Sequence, residues 1–168
     1  MDNQQAKLEK KLHWLGGILD GEGSFLLLKQ NHKWNTKEGP KSDVFIRPAI
    51  KISNTNVDGL RDVTDILEAV GLPYYVEWRK GTKNWKSSWM VSILGVKRCL
   101  RACTLLAPYI VWKKGELKAI TDYCASRLER EVDFHGGFNS HQRFPKFNDL
   151  EIECVRLLTG RRTGTRLL

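Results

Sequence analysis

The chain has 168 residues, with 28 Lys and Arg against 19 Asp and Glu and a formal charge of +9. That length suits one globular domain, and a hydrophobic content of 41% is enough to build a core, so composition excludes a disordered chain. No apolar run approaches the roughly 20 residues of a membrane span, and residues 1–11 mix Lys and Glu without the apolar stretch of a secretory signal. The expectation is a protein with no membrane partner, in the cytoplasm of a prokaryote or inside an organelle. Cys99, Cys103, Cys124 and Cys154 form no C-x-x-C pair, which points to buried free thiols rather than a zinc ribbon or a disulfide scaffold.

The surplus charge is unevenly placed. Residues 29–51 carry a net +4, residues 77–86 a net +3, and Arg161, Arg162 and Arg166 add three more, leaving −1 for everything else. A near-neutral body with two basic segments and a basic tail points to a polyanionic partner.

In chain order, Leu8, Leu12, Leu15 and Leu19 recur at 4-3-4 spacing, which predicts a helix with one apolar stripe. Gly17 and Gly21 fall on the opposite side, flanked by His13 and Trp14. Each glycine inside a helix costs about 1 kcal/mol relative to alanine, but a row without side chains lets a second backbone approach closely. A flexible helix end would account for Gly21 and Gly23 but not for the Gly16-Gly17 pair, so this face expects a partner. Asp20 and Glu22 then stand at the helix C-terminus, where an acid opposes the macrodipole. Two copies of Glu22 brought together across a two-fold axis would need a cation between them, and Mg2+ suits oxygen ligands. Taken alone, Glu22 reads as a solvated turn residue.

After Gly23 the period changes to two. Residues 24–30 and 44–53 read as strands, the second with Ile46, Ile50 and Ile52 on one face and Phe45, Arg47, Ala49, Lys51 and Ser53 on the other. Residues 31–43 are expected to be a polar loop closing a long hairpin. Leu26 and Leu28 share a face with Ser24 and Gln30, so either they cover the outer face of the sheet or a bulge shifts the phase. Asn56 is the expected N-cap of a helix through Leu60, Val63, Leu67 and Val70 that Gly71 terminates. Residues 74–80 and 85–93 form a second hairpin about a turn at 81–84. Helical patterns follow at 96–106 and near 116–131, then a loop at 135–146 and a short helix near 150–158. The fold class expected from this order is α+β, an αββαββα unit with one antiparallel sheet and its helices on one face. Residues 1–168 read as a single domain, with 132–168 a C-terminal extension ending in the basic tail.

The stretch Leu15-Gly-Gly-Ile-Leu-Asp-Gly-Glu-Gly23, followed by Ser24-Phe25 opening a strand, resembles the LAGLIDADG motif of homing endonucleases. The element order resembles that family too, as does Pro108-Tyr-Ile-Val-Trp-Lys-Lys114 leading into a further helix. The resemblance implies a saddle-like DNA-binding sheet and motif helices packed at a two-fold interface, here through His13, Trp14, Gly17 and Gly21. It implies that Glu22 binds the catalytic metal with the Gly21 carbonyl beside it, Mg2+ being the cofactor and Mn2+ a substitute. Many members have Asp where this chain has Glu22, and Asp20 is expected to be structural. Asn54 and Lys113 align with the polar residue after the second strand and the lysine before the fourth helix that support catalysis. Asn54 would otherwise start a turn, Lys113 would otherwise be a solvated lysine, and Lys114 competes for its place. One motif in a chain of this length implies a homodimer on a pseudo-palindromic site.

A two-stranded ribbon fits the major groove, where each base pair shows a distinct edge. Gln30, Arg47 and Lys51 are the candidates for base contacts. Lys29, His32, Lys33, Asn35, Lys37 and Lys41 suit phosphates or outer bases, with Arg79, Lys80, Lys83, Asn84 and Lys86 as counterparts in the second hairpin. Their clustering carries the signal, not any one lysine. Trp34, Trp78, Trp85 and Trp89 fit base stacking or sheet packing, Trp89 the latter. His135 and His141 lack partners at metal-ligand spacing. The expected function is a site-specific, metal-dependent, double-strand DNA endonuclease. The alternatives are an intron RNA splicing factor (maturase) and a non-catalytic nucleic-acid binder on the same fold.

Overall fold

The computed structural model describes residues 3–37, 39–84, 86–130 and 146–159. Its elements are α1 (Asn3–Gly21), β1 (Gly23–Thr36), β2 (Gly39–Asn54), α2 (Val57–Ala69), β3 (Tyr75–Arg79), β4 (Ser88–Leu94), α3 (Val96–Leu106), α4 (Lys114–Glu129) and α5 (Asp149–Thr159), with a 3-10 turn at Ala107–Tyr109 before α4. The four strands form one antiparallel sheet in the order β1-β2-β4-β3, so the two hairpins join through β2 and β4. This is the α+β architecture expected from the sequence.

Alternation decides which face is buried. Phe25 and Leu27 of β1, Ile46, Ile50 and Ile52 of β2, and Val91 and Ile93 of β4 point one way into the core. They meet Leu12, Leu15 and Leu19 of α1 and Leu60, Val63, Ile66 and Leu67 of α2. Each such side chain contributes roughly 1.5–3 kcal/mol of burial, and the leucine stripe of α1 is satisfied by this one face. The Asn56 side chain caps α2, accepting from the amides of Asp58 at 3.0 Å and Gly59 at 3.2 Å. Gly71 ends that helix at φ +63°, as its position after the apolar repeat predicts.

Two boundaries differ from the expected ones. Residues 31–43 are not a loop: β1 and β2 pair without interruption from Gly23 opposite Ile52 to Thr36 opposite Gly39. The polar residues there continue the pleat because cross-strand backbone bonding needs no apolar face once the ribbon leaves the core. His32, Lys33, Asn35 and Lys41 therefore stand on strands, and Lys37 at the tip. The second hairpin departs in the opposite sense. Arg79 pairs with Ser88, so Lys80, Lys83, Asn84 and Lys86 belong to the connection, whose Gly81 amide donates to Ser87 Oγ at 2.8 Å.

All four cysteines are free and buried. Helix α5 is held to α4 by Glu151, fully buried, whose carboxylate meets Arg127 at 3.2 Å and Arg130 at 2.5 Å and accepts from Ser126 Oγ at 3.0 Å. Nothing in the spacing of the sequence marked that network. The expected loop with His135 and His141, Trp85, and the tail with Arg161, Arg162 and Arg166 lie outside the described residues, as do the side chains of His32, Trp34 and Lys41.

Candidate active site and nucleic-acid face

The turn from α1 into β1 is clamped to the segment before α4 from both sides. Asp20, nearly buried, accepts the amides of Val111, Trp112 and Lys113 at 2.7, 3.1 and 3.0 Å. Lys113 reciprocates, its ammonium donating to the carbonyls of Leu19 at 2.9 Å and Gly23 at 2.6 Å. Burial disfavours the charge on Asp20, but the three amides and the Lys113 ammonium outweigh it and hold the carboxyl below its ordinary value. Lys113 is thus the lysine at this turn, whereas Lys114 is exposed at the first position of α4.

Two of the four glycines serve this clamp. A Cβ on Gly16 would stand 2.3 Å from the Tyr109 carbonyl oxygen, and one on Gly23 would stand 2.6 Å from the Leu19 oxygen. The other two, Gly17 and Gly21, have nothing within 4 Å of a built Cβ and are exposed. The Gly16-Gly17 pair therefore divides its work, one residue against the chain's own backbone and the other facing outward. Trp14 on the same helix is 40% exposed, and the clamped segment leaves Val111 (64%) and Trp112 (81%) at the surface as well. His13 makes an edge contact with Tyr109 at 4.9 Å and approaches Glu9 at 3.8 Å.

With Asp20 tied down, the next acid is free to face outward. Glu22 is exposed, its amide donating to the Ile18 carbonyl at 2.8 Å. Because Gly23 pairs with Ile52, the carboxylate lies beside the end of β2, where Asn54 Nδ2 donates to Glu22 Oε2. The orientation of that amide is set from behind, since Asn54 Oδ1 accepts the Asn56 amide at 2.8 Å. An open cavity of about 160 Å³ adjoins the pair, lined by Trp14, Ile18, Ile52, Leu60 and Val63 among others. Sequence-predicted Glu22, Gly21, Asn54 and Lys113 are thus brought to one turn. Glu22 is an accessible hard oxygen donor of the kind Mg2+ prefers. Among the described residues no three His, Cys, Asp or Glu side chains gather into a complete metal site within one chain.

The sheet face away from the helices carries the base-contact candidates. Ser24 pairs with Lys51, Leu28 with Arg47 and Gln30 with Phe45, so Gln30, Arg47 and Lys51 share that face. The unbroken register also answers the phase conflict: Leu26 and Leu28 lie on the outer face, half-exposed, with no bulge. Lys51 feels its own partial burial and then the like charge of Arg79 and Arg47. These push its pKa down against the opposing pull of Glu77. Lys29, Lys33 and Asn35 are exposed along the ribbon, but their register puts them on the opposite face from Gln30 and Arg47, the one Phe25 and Leu27 share. Lys37 is exposed at the tip, and Lys80, Lys83, Asn84 and Lys86 along the second connection. Arg79 lies 3.7 Å from Glu77. Trp78 and Trp89 tilt against one another at 4.9 Å in the row that also holds Asn54, on the helix-side face, which favours sheet packing for both. Sequence reading missed Val111 and Trp112, whose signal was two large apolar residues between the buried Ile110 and a lysine at a helix start.

No protein-family model and no curated protein sequence matches the chain. Solved structures do. The homing endonuclease I-CvuI, in complex with its target in the presence of Ca, aligns over 97% of this chain and 89% of its own, with a TM-score of 0.55 and 14% identity. The homing endonuclease I-TnaI aligns over 92% and 89%, with a TM-score of 0.53 and 15% identity. The LAGLIDADG meganuclease I-CpaMI, bound to uncleaved DNA, aligns over 88% of this chain and 60% of its own, with a TM-score of 0.52 and 15% identity.

Proposed function

We propose that this chain, which has the fold of LAGLIDADG homing endonucleases, is a site-specific double-strand DNA endonuclease that works as a homodimer with Mg2+, or Mn2+ in its place. The observation that carries the proposal is Glu22, held outward by Asn54 at the end of a helix whose Gly17 and Gly21 face is bare. A second copy packed on that face by a two-fold axis brings two Glu22 carboxylates to the centre of a duplex.

Glu22 and the Gly21 carbonyl would hold the divalent cation, which when bound supplies Lewis-acid stabilisation of the phosphate and activation of water. The chain's own residues do the rest. Asp20 and Lys113 fix the turn that aims Glu22, and the Asn54 amide restricts its rotamer and orients water at the perimeter. The Lys113 ammonium, anchored on two carbonyls, contributes positive potential at the site. The outer sheet face, with Arg47, Lys51 and Gln30 between ribbons of exposed lysines, would lie in the major groove.

The test selects a bound duplex from a randomised DNA library with the full chain, then incubates that duplex with Mg2+. The parent is expected to cut both strands, and Glu22→Gln to bind equally while losing at least 100-fold in cleavage rate. Tight binding without metal-dependent cleavage by the parent would refute the endonuclease reading. A chain that stays monomeric by light scattering, on and off DNA, would refute the homodimer.

A further inference from the structure

The outer face of the sheet is not uniformly polar. Following the register across the strands, Ser24, Lys51, Ser92 and Tyr75 form one row and Leu26, Ala49 and Leu94 the next. Leu28 with Arg47 and Gln30 with Phe45 follow along the ribbon. Two half-exposed leucines thus stand in line on β1, with Lys51 on one side and Gln30 on the other. The fold does not need them there, because β1 meets the core through Phe25 and Leu27 on its opposite face. Their position is also not a slip of phase, since the pairing of β1 with β2 runs one-to-one through both of them.

We propose that each half of the DNA target carries thymines at the base pairs facing Leu26 and Leu28, their C5-methyl groups packed against the two leucine side chains. This rests on the duplex-DNA reading above and names what that substrate must contain. In the major groove guanine, cytosine and adenine present polar edges, whereas thymine adds a methyl group. A leucine pressed on a guanine oxygen or a cytosine amino group strips its water and returns no hydrogen bond, which is unfavourable. Pressed on a methyl group, it removes apolar surface from water on both partners. Arg47, directly across from Leu28, carries the forked donor that suits guanine O6 and N7. A guanine therefore belongs next to the thymine read by Leu28. The spacing follows from geometry. Residues two apart on a strand are about 6.8 Å apart, and base pairs rise about 3.4 Å. A ribbon tracking the groove thus sets the two thymine-bearing pairs about two steps apart.

The experiment uses the full chain and the duplex selected from the randomised library. Thymine is expected at two positions per half-site, one base pair between them. Replacing either thymine by deoxyuridine, which removes only the methyl group, is expected to weaken binding about fourfold. Leu28→Gln is expected to erase the thymine-over-uracil difference at its own position, turn preference there toward adenine, and leave the effect at the other position intact. The same erasure is expected at the Leu26 position in Leu26→Gln, with melting temperature as the control for folding. Equal binding of the thymine and deoxyuridine duplexes would overturn the proposal without any variant being needed, as would enrichment of guanine or cytosine at both positions. A selection that enriches no duplex at all would overturn the DNA-reading proposal itself, and this one with it.

Discussion

Replacing Asp20 by alanine tests the clamp on which the position of Glu22 depends. The carboxylate accepts three amides from residues 111–113, and a hydrogen bond to a charged group is worth about 1.5–3 kcal/mol. Simple addition would give about 5–9 kcal/mol, but Val111 and Trp112 lie at the surface, so water replaces part of what is lost. The expected cost is about 3 kcal/mol, a fall in melting temperature of about 6–12 °C for a chain of this size. Asp20→Asn keeps one acceptor oxygen and should fall between the parent and alanine. The acid side adds a signature. Because the folded carboxyl lies below the ordinary 3.8, its stabilisation is complete above that pH and is lost as pH falls through the lower folded value. Thermal unfolding followed by circular dichroism should show a parent-to-asparagine gap that is constant from neutral pH to about 4.5 and narrows below about 3.8. An alanine variant that melts within 1–2 °C of the parent, or a gap that does not close in acid, would refute the clamp.

Gly16→Ala places a Cβ against the Tyr109 backbone and should cost about 3 kcal/mol or prevent folding. Gly17→Ala meets nothing within its own chain, so at concentrations where the protein is monomeric its stability should rise by up to about 1 kcal/mol through helix propensity. Gly17→Leu should fold equally well but weaken self-association more than tenfold by sedimentation, and an unchanged dimer would exclude that face as the interface. Glu151→Gln removes the buried carboxylate charge that Arg127 and Arg130 share, and should cost about 3–5 kcal/mol in chemical denaturation. Asn54→Ala removes the donor to Glu22 at a half-exposed site, so cleavage should drop about tenfold while the melting temperature and DNA affinity hold. A melting temperature falling in step with activity would show that Asn54 acts on the fold alone.

Leu12, Leu15 and Leu19, the β2 alternation through Ile50 and Ile52, and the Asn56 cap were legible because each is a local rule, helix period, strand period or side chain to nearby amide, that operates within a few residues. The same locality led astray at residues 31–43, where polar composition read as a loop although backbone pairing between strands is indifferent to which side chains face water. At the candidate site the residue types and their order in the motif were visible in the chain, and their division of labour was not. Asp20 and Glu22 are two residues apart and chemically alike, yet one is tied to amides 91 to 93 positions away and the other faces solvent beside Asn54. Gly16 and Gly17 are neighbours, and only packing against Tyr109 tells them apart. By itself the sequence determined the periods, the caps, the placement of charge and the presence of an acid after a glycine-marked helix. Tertiary structure decided which acid is tied by hydrogen bonds into the clamp and which remains exposed, because hydrogen bonding and burial depend on where distant segments of the backbone meet.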